Sequence, residues 1–303
     1  MHQAETPYDE TRIDIEISIT WRYGKRGVRM STMNSTLWYR VWCLVFAGLI
    51  VCSSAWATNP STDSITAVYD HLQGKSKTEL SAQGSLSTFV KFNGNAILFD
   101  TGGEACPLVQ NLEELGLDAT LIDAIVLSHN HWNHVYGLPG VLSATAMKPK
   151  VYVPAPAAEG FLQQNPRADV VAVSKPTGIL PGAWLVGPMQ LDFRGGKIAE
   201  QVLVLDRKDG LVVIVGCSHR GIVSVVEQVK EVFGHRKIKL VAGGFHLRAV
   251  SKKEIKEISL RLQQMGVKSL ALSHCTGDPA LKIFREEWGD RVVSLDFGDT
   301  IDF

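Results

Sequence analysis

The chain has 303 residues, enough for one large domain or two small ones, and its 31 Lys and Arg balance 31 Asp and Glu to a formal net charge of zero. That balance excludes a basic nucleic-acid binder. With 45% hydrophobic and 20% charged residues, the composition also excludes a fully disordered or collagen-like chain and supports a sizeable buried core.

The first predicted feature is the apolar run Val41 to Cys52, which follows Arg40 and precedes Ser53-Ser54-Ala55-Trp56-Ala57. A membrane span needs about 20 residues, so this run is too short for one, but it suits the core of a signal peptide. Ala55-Trp56-Ala57 supplies the small-x-small cleavage pattern, and cleavage after Ala57 implies a periplasmic or secreted protein with no stable membrane span. The bland alternative is an uncleaved anchor or a buried apolar helix. Residues 30–57 read as the signal peptide, residues 1–29 as a mis-assigned extension ahead of Met30 or a disordered segment, and residues 62–303 as one domain without tandem repeats. Cys43 and Cys52 leave with the signal. The remaining Cys106, Cys217 and Cys275 are too few and odd in number for a disulfide scaffold.

Beyond a polar lead-in, Phe89–Phe92 and Ala96–Asp100 read as strands of a hairpin turned at Asn93-Gly94. Pro107 opens a helix that Gly116 closes, with Leu108, Leu112 and Leu115 on one face. Ile122 to Ser128 is a short buried strand running into a group of histidines. The Pro- and Gly-rich stretch Lys148 to Gly196 predicts a strand at Val151–Val153 and loops elsewhere. Val202–Leu205 and Leu211–Val215 are strands, the second apolar on both faces, and a helix follows over Ile222–Phe233. Lys239–Ala242 and Leu270–Leu272 are further strands. Ser251 and Glu254 form a capping box, Asp278-Pro279 opens the last helix, and Val292–Leu295 leads to a C-terminal strand. Strands alternating with helices, together with hairpins, predict a layered α/β fold with mixed sheets.

Six histidines stand where predicted strands end: His129, His131, His134, His219, His246 and His274. Such ends are where an α/β sheet gathers its chemistry. His71 and His235 sit in polar surroundings and read as exposed. In Ser128-His129-Asn130-His131-Trp132-Asn133-His134, side chains two apart on an extended segment point the same way, so His129 and His131 can face one ion, and a turn brings His134 in from another side. Imidazole nitrogens bind zinc at about 2.0–2.1 Å, and an open fourth position holds a water whose pKa falls to about 7.

These motifs resemble the metallo-β-lactamase superfamily, whose hallmark is His-x-His-x-Asp-His after a buried strand. Further matches are Leu98-Phe99-Asp100-Thr101-Gly102, Gly216-Cys217-Ser218-His219-Arg220-Gly221-Ile222, Gly243-Gly244-Phe245-His246-Leu247 and Ser273-His274-Cys275-Thr276-Gly277. Together they are similar to the branch of dihydropterin-ribofuranosyl-aminobenzene-phosphate synthases. The resemblance implies an αββα sandwich with a metal site along one edge between the sheets. It further implies that His129, His131 and His219 hold a first zinc, that Asn133, His134 and His274 occupy a second site, and that Asp100 braces the histidine loop by hydrogen bonds. His246 would contact substrate and offer general acid help. Cys217 and Cys275 read as packed thiols, either of which could bind metal.

The chain departs from the hallmark at Asn133, where an amide replaces the expected Asp and weakens the second site. Leu211 to Gly277 contains no Asp, and its glutamates fall in predicted helices, so two cations would be held mainly by neutral ligands. The expectation is about one tightly held zinc, with a second ion weaker and Mn²⁺ or Fe²⁺ as alternatives, and a small-molecule substrate whose negative charge restores the balance. The resulting functional reading is an exported hydrolase acting through zinc-bound hydroxide on an ester, lactone, amide or phosphoester. The alternatives are a synthase of the pterin branch and a non-catalytic zinc-dependent binding or sensing protein.

Overall fold

In the computed structural model, residues 62–69, 85–103, 105–145 and 148–303 are described, with the side chains of all but Ala105, Cys106 and His274. The signal-peptide region and His71 lie outside them. The first half of the domain runs β1 (Ser64–Tyr69), β2 (Ser87–Phe92), β3 (Asn95–Phe99), α1 (Ala105–Glu114), β4 (Ile122–Val126), α2 (Trp132–Val135), α3 (Leu138–Ala144), β5 (Lys150–Pro154), α4 (Ala158–Gln164) and β6 (Asp169–Val173). The second half continues with β7 (Thr177–Leu180), β8 (Ala183–Phe193), β9 (Gly196–Arg207), β10 (Gly210–Val215), α5 (Ile222–Phe233), β11 (Ile238–Gly243), α6 (Lys252–Gln264), β12 (Ser269–Leu272), α7 (Asp278–Trp288), β13 (Val292–Ser294) and β14 (Thr300–Asp302).

Two seven-stranded sheets result, ordered β14-β1-β2-β3-β4-β5-β6 and β13-β12-β11-β10-β9-β8-β7. Each is mixed. β3 through β6 are parallel in the first sheet, and β10 through β13 in the second. Apolar side chains of both sheets, among them Ile97, Phe99, Leu203, Leu205 and Ile214, meet in a central core. Helices α5, α6 and α7 cover the outer face of the second sheet, and α1, α3 and α4 that of the first. Burial on both faces explains why β10 is apolar throughout. The layers are therefore α, β, β, α, the sandwich that the resemblance implied.

The hairpin turns at Asn93-Gly94, whose φ values of 49° and 77° suit a tight turn between twisted strands. Helix α5 spans the expected residues, and the Ser251–Glu254 capping box opens α6. Two expectations need correction. The polar lead-in contains β1, whose Ser64 and Thr66 are buried between β14 and β2, with the Thr66 and Thr300 hydroxyls 2.9 Å apart. The stretch Lys148 to Gly196 is not a strand with loops but holds β5, α4, β6, β7 and all of β8. The edge strands β6 and β7 are largely half-exposed, and β8 is interrupted by a register shift between Val186 and Met189, so neither shows clean alternation. Among the described residues, no helix is long and apolar enough to cross a membrane.

Candidate metal centre

The central parallel strands of both sheets end at one edge of the sandwich, and there the chain leaves regular structure in strained turns. Asp100 follows β3, Ser218 follows β10 and His246 follows β11, with φ of 59°, 55° and 54°. Left-handed backbone at a side chain with a Cβ costs about 1 kcal/mol or more, and such strain concentrates at functional sites.

Asp100 is the hub of the first sheet's contribution. It is fully buried; its Oδ1 accepts from the Ser128 amide at 2.6 Å, and its Oδ2 lies 2.7 Å from both Ser128 Oγ and His134 Nδ1. Ser128 Oγ in turn lies 2.8 Å from His129 Nδ1. Space for this network depends on Gly216, because a Cβ there would stand 2.3 Å from Ser128 Oγ. Burial lifts the Asp100 carboxyl to about 8, against the lowering by its Ser128 bonds, and burial likewise holds His134 down at about 3.

The second sheet braces its histidine with a different carboxylate. Glu200 on β9 is 3% exposed, and its Oε1 accepts from His219 Nδ1 at 2.6 Å and from the His219 amide at 3.1 Å, while Oε2 accepts from the Arg220 amide at 3.2 Å. Burial pushes this carboxyl up, but the bonds from the His219 ring and from the His219 and Arg220 amides outweigh it and the net shift is downward. Glu200 is absent from the sequence reading, which sought carboxylates only between Leu211 and Gly277. Its signal is a lone charged residue, beside Gln201, inside the mostly apolar run from Ile198 to Leu205.

With Nδ1 of His129 and of His219 held from behind, their other nitrogens turn inward, where His131 joins them from the same loop as His129. His129 Nε2 lies 3.0 Å from His131 Nδ1, and the ring centroids of His129, His131 and His219 are 4.6 to 4.9 Å apart in every pairing. Burial, followed by the neighbouring His219, lowers His131 to about 4, so the ring is neutral and offers a lone pair. Neutral imidazoles whose outer nitrogens bond a hydroxyl or a carboxylate are what a divalent transition cation requires. The residues present fit a metal ion, with His129, His131 and His219 as its holders.

The other expected residues are placed less evenly. His134 Nε2 faces Cys217 Sγ at 3.2 Å, and Asn133 lines the cavity half-buried beside it. His274 begins the short turn after β12, and its side chain lies outside the described set. His246 stacks beside His219 at 4.4 Å, and its buried Nδ1 has no hydrogen-bond partner among the described residues. His235 is exposed, as expected. Cys217 and Cys275 are buried thiols, and burial and then Cys275 push the Cys217 thiol well above its ordinary value. His131, Asn133, Cys217, His219, His246 and Cys275 line a cavity of about 470 Å³ whose remaining walls are Trp132, Phe193, Arg194 and Arg248.

Two mixed sheets sandwiched between helices, with clustered histidines at the ends of their parallel strands, define the metallo-β-lactamase fold. Residues 81–230 match the metallo-beta-lactamase superfamily. A 7,8-dihydropterin-6-methyl-4-(beta-D-ribofuranosyl)-aminobenzene-5'-phosphate synthase of Methanocaldococcus jannaschii is 29% identical, the match covering 73% of this chain and 90% of that protein. A ribonuclease Z of Salinibacter ruber is 30% identical over 40% of this chain and 37% of its own length. The crystal structure of a metal-dependent hydrolase of the beta-lactamase superfamily superposes with a TM-score of 0.66 at 27% identity, covering 80% of this chain and 99% of the other. The chain has the metallo-beta-lactamase fold and is similar to that superfamily of metal-dependent enzymes.

Proposed function

We propose that the protein is an exported, metal-dependent hydrolase whose preferred substrates are small anionic phosphoesters. The observation that carries this reading is the convergence of three histidine rings, two of them locked from behind by Ser128 and Glu200, on one side of a walled cavity. A bound ion would supply Lewis acidity there, polarising a substrate oxygen and acidifying water. Ser128, Asp100 and Glu200 hold the rings in orientation ahead of any substrate, which is the preorganisation that makes such a site effective. Arg194 and Arg248 bring positive charge to the cavity wall, where a phosphate would meet it, and Phe193 closes one side against water. The name of the Methanocaldococcus relative carries a 5'-phosphate, which supports the same substrate class. Export rests on the Val41–Cys52 run and the Ala55-Trp56-Ala57 pattern.

The test is turnover by protein stripped with a chelator and reloaded with zinc or manganese, on a panel of phosphoesters, lactones and lactams. Metal-dependent phosphoester cleavage that free phosphate inhibits is the expected result. A loaded protein that cleaves nothing on the panel would overturn it and leave binding or sensing. The likeness to the synthase across 90% of that protein favours one further reading, pterin-substrate chemistry, and saturable binding of a pterin by the purified protein would support it.

A further inference from the structure

We infer that Cys217 and Cys275, together with His134 and His246, form a second, thiolate-rich cation site beside the three-histidine site, with Cys217 shared between the two. The inference takes the cavity to be a metal centre, as above, but is independent of the reaction proposed for it.

Donor atoms of Cys217, His246 and Cys275 all lie within 4.8 Å of one another, and so do those of His129, Cys217 and His219. Cys217 is the member common to both groups. His134 adds a fourth donor, because Asp100 occupies its Nδ1 and its Nε2 is thereby turned to Cys217 Sγ at 3.2 Å. His246 contributes a ring held at a left-handed φ of 54° with a buried, unpartnered nitrogen among the described residues. A bare buried nitrogen costs free energy that a cation would recover.

Two sulfurs and two imidazoles make a donor set suited to tetrahedral zinc. The set also answers the charge deficit at Asn133, since each thiol releases its proton to solvent as the ion binds and remains as thiolate. Two thiolates then stand where the superfamily hallmark has an aspartate. Cys217, common to both groups, would carry negative charge between two ions, and the loss of one carboxylate would not empty the second site. His246 becomes an ion holder and not a proton donor.

The deciding measurement is X-ray absorption at the zinc edge on the full chain, reduced, stripped and reloaded to saturation. A sulfur shell at about 2.3 Å beside nitrogen at about 2.0 Å is the expected result. Cys275→Ser should lose the second ion and much of the sulfur signal while keeping the first. Cys217→Ser should weaken both. If neither variant folds, the unmodified protein's spectrum and its alkylation pattern decide, because loading should protect Cys217 and Cys275 from a thiol reagent, as mapped by mass spectrometry. Zinc that sees only nitrogen and oxygen, thiols equally reactive with and without ion, or a Cys217–Cys275 disulfide in protein isolated without reductant would each overturn the proposal while leaving the histidine site intact. Failure to bind any ion would overturn this proposal and the proposed function together.

Discussion

Three N–H groups converge on the two oxygens of Glu200, those of the His219 ring, the His219 amide and the Arg220 amide. In a neutral ring this bond selects the tautomer, because an Nδ1 that donates to a carboxylate leaves the lone pair on Nε2. Glu200→Gln keeps the shape but removes the charge and sets an amide NH₂ against groups that are themselves donors. Losing such a partner of a metal-binding histidine costs about 10–100-fold in metal affinity. Competition with a chromophoric chelator should register that loss, and an unchanged affinity would reduce Glu200 to a strand-end cap. Asp100 plays the corresponding part for His134 and, through Ser128, for His129, so each half of the site rests on its own buried carboxyl.

Strand β9 does more than carry Glu200. The next residue, Gln201, crosses from the second sheet to the first, its Nε2 donating to the carbonyls of Leu127 and Tyr152 at 2.8 and 3.1 Å and its amide to the Ser128 carbonyl at 2.9 Å. Gln201→Ala takes the side-chain donor from the buried Leu127 carbonyl, while the Tyr152 carbonyl keeps the Leu127 amide at 3.0 Å, and one unsatisfied buried group costs about 1–3 kcal/mol. Denaturant unfolding should show that loss together with weakened metal binding, because Leu127 and Ser128 lead directly into His129. At the opposite extreme, Ser251→Ala removes the cap of α6 and should cost about 1 kcal/mol. Ser251 lies on the surface, and the variant should leave metal affinity unchanged, separating global destabilisation from damage to the site. The elements that were legible in the sequence are those whose cause is local. The Asn93-Gly94 turn, the Ser251–Glu254 box and the helix stop at Gly234 each write their structure in adjacent residues. The strands β6, β7 and β8 are held by pairing across the sheet, and their half-exposed faces leave no periodic trace. The histidine loop was legible for the same local reason, whereas Glu200 joins His219 only after β9 and β10 have paired.

At the scale of the molecule, the site lies at the seam of the sandwich. His129, His131 and His134 arrive with the first sheet, and Cys217, His219 and His246 with the second. An ion held by residues of both would tie the sheets together. It would bind the folded chain in preference to the unfolded one, in which these residues are scattered along the sequence. Free ion at about a thousandfold above its dissociation constant then adds about 4 kcal/mol to the stability of the fold. For a domain of this size, 1 kcal/mol moves Tm by about 2–4 °C, so the loaded protein should melt about 8–16 °C above the stripped one. Returning zinc should restore the difference, and the gain should grow with the logarithm of zinc concentration. His131 is half-buried and lies outside the apolar core clusters, so His131→Ala should change the stripped protein little. Its Tm should no longer follow zinc as the parent's does, because one of the three converging rings is gone. A stripped parent that melts at the same temperature as the loaded one would mean that the ion does not span the two sheets, whatever it does for catalysis.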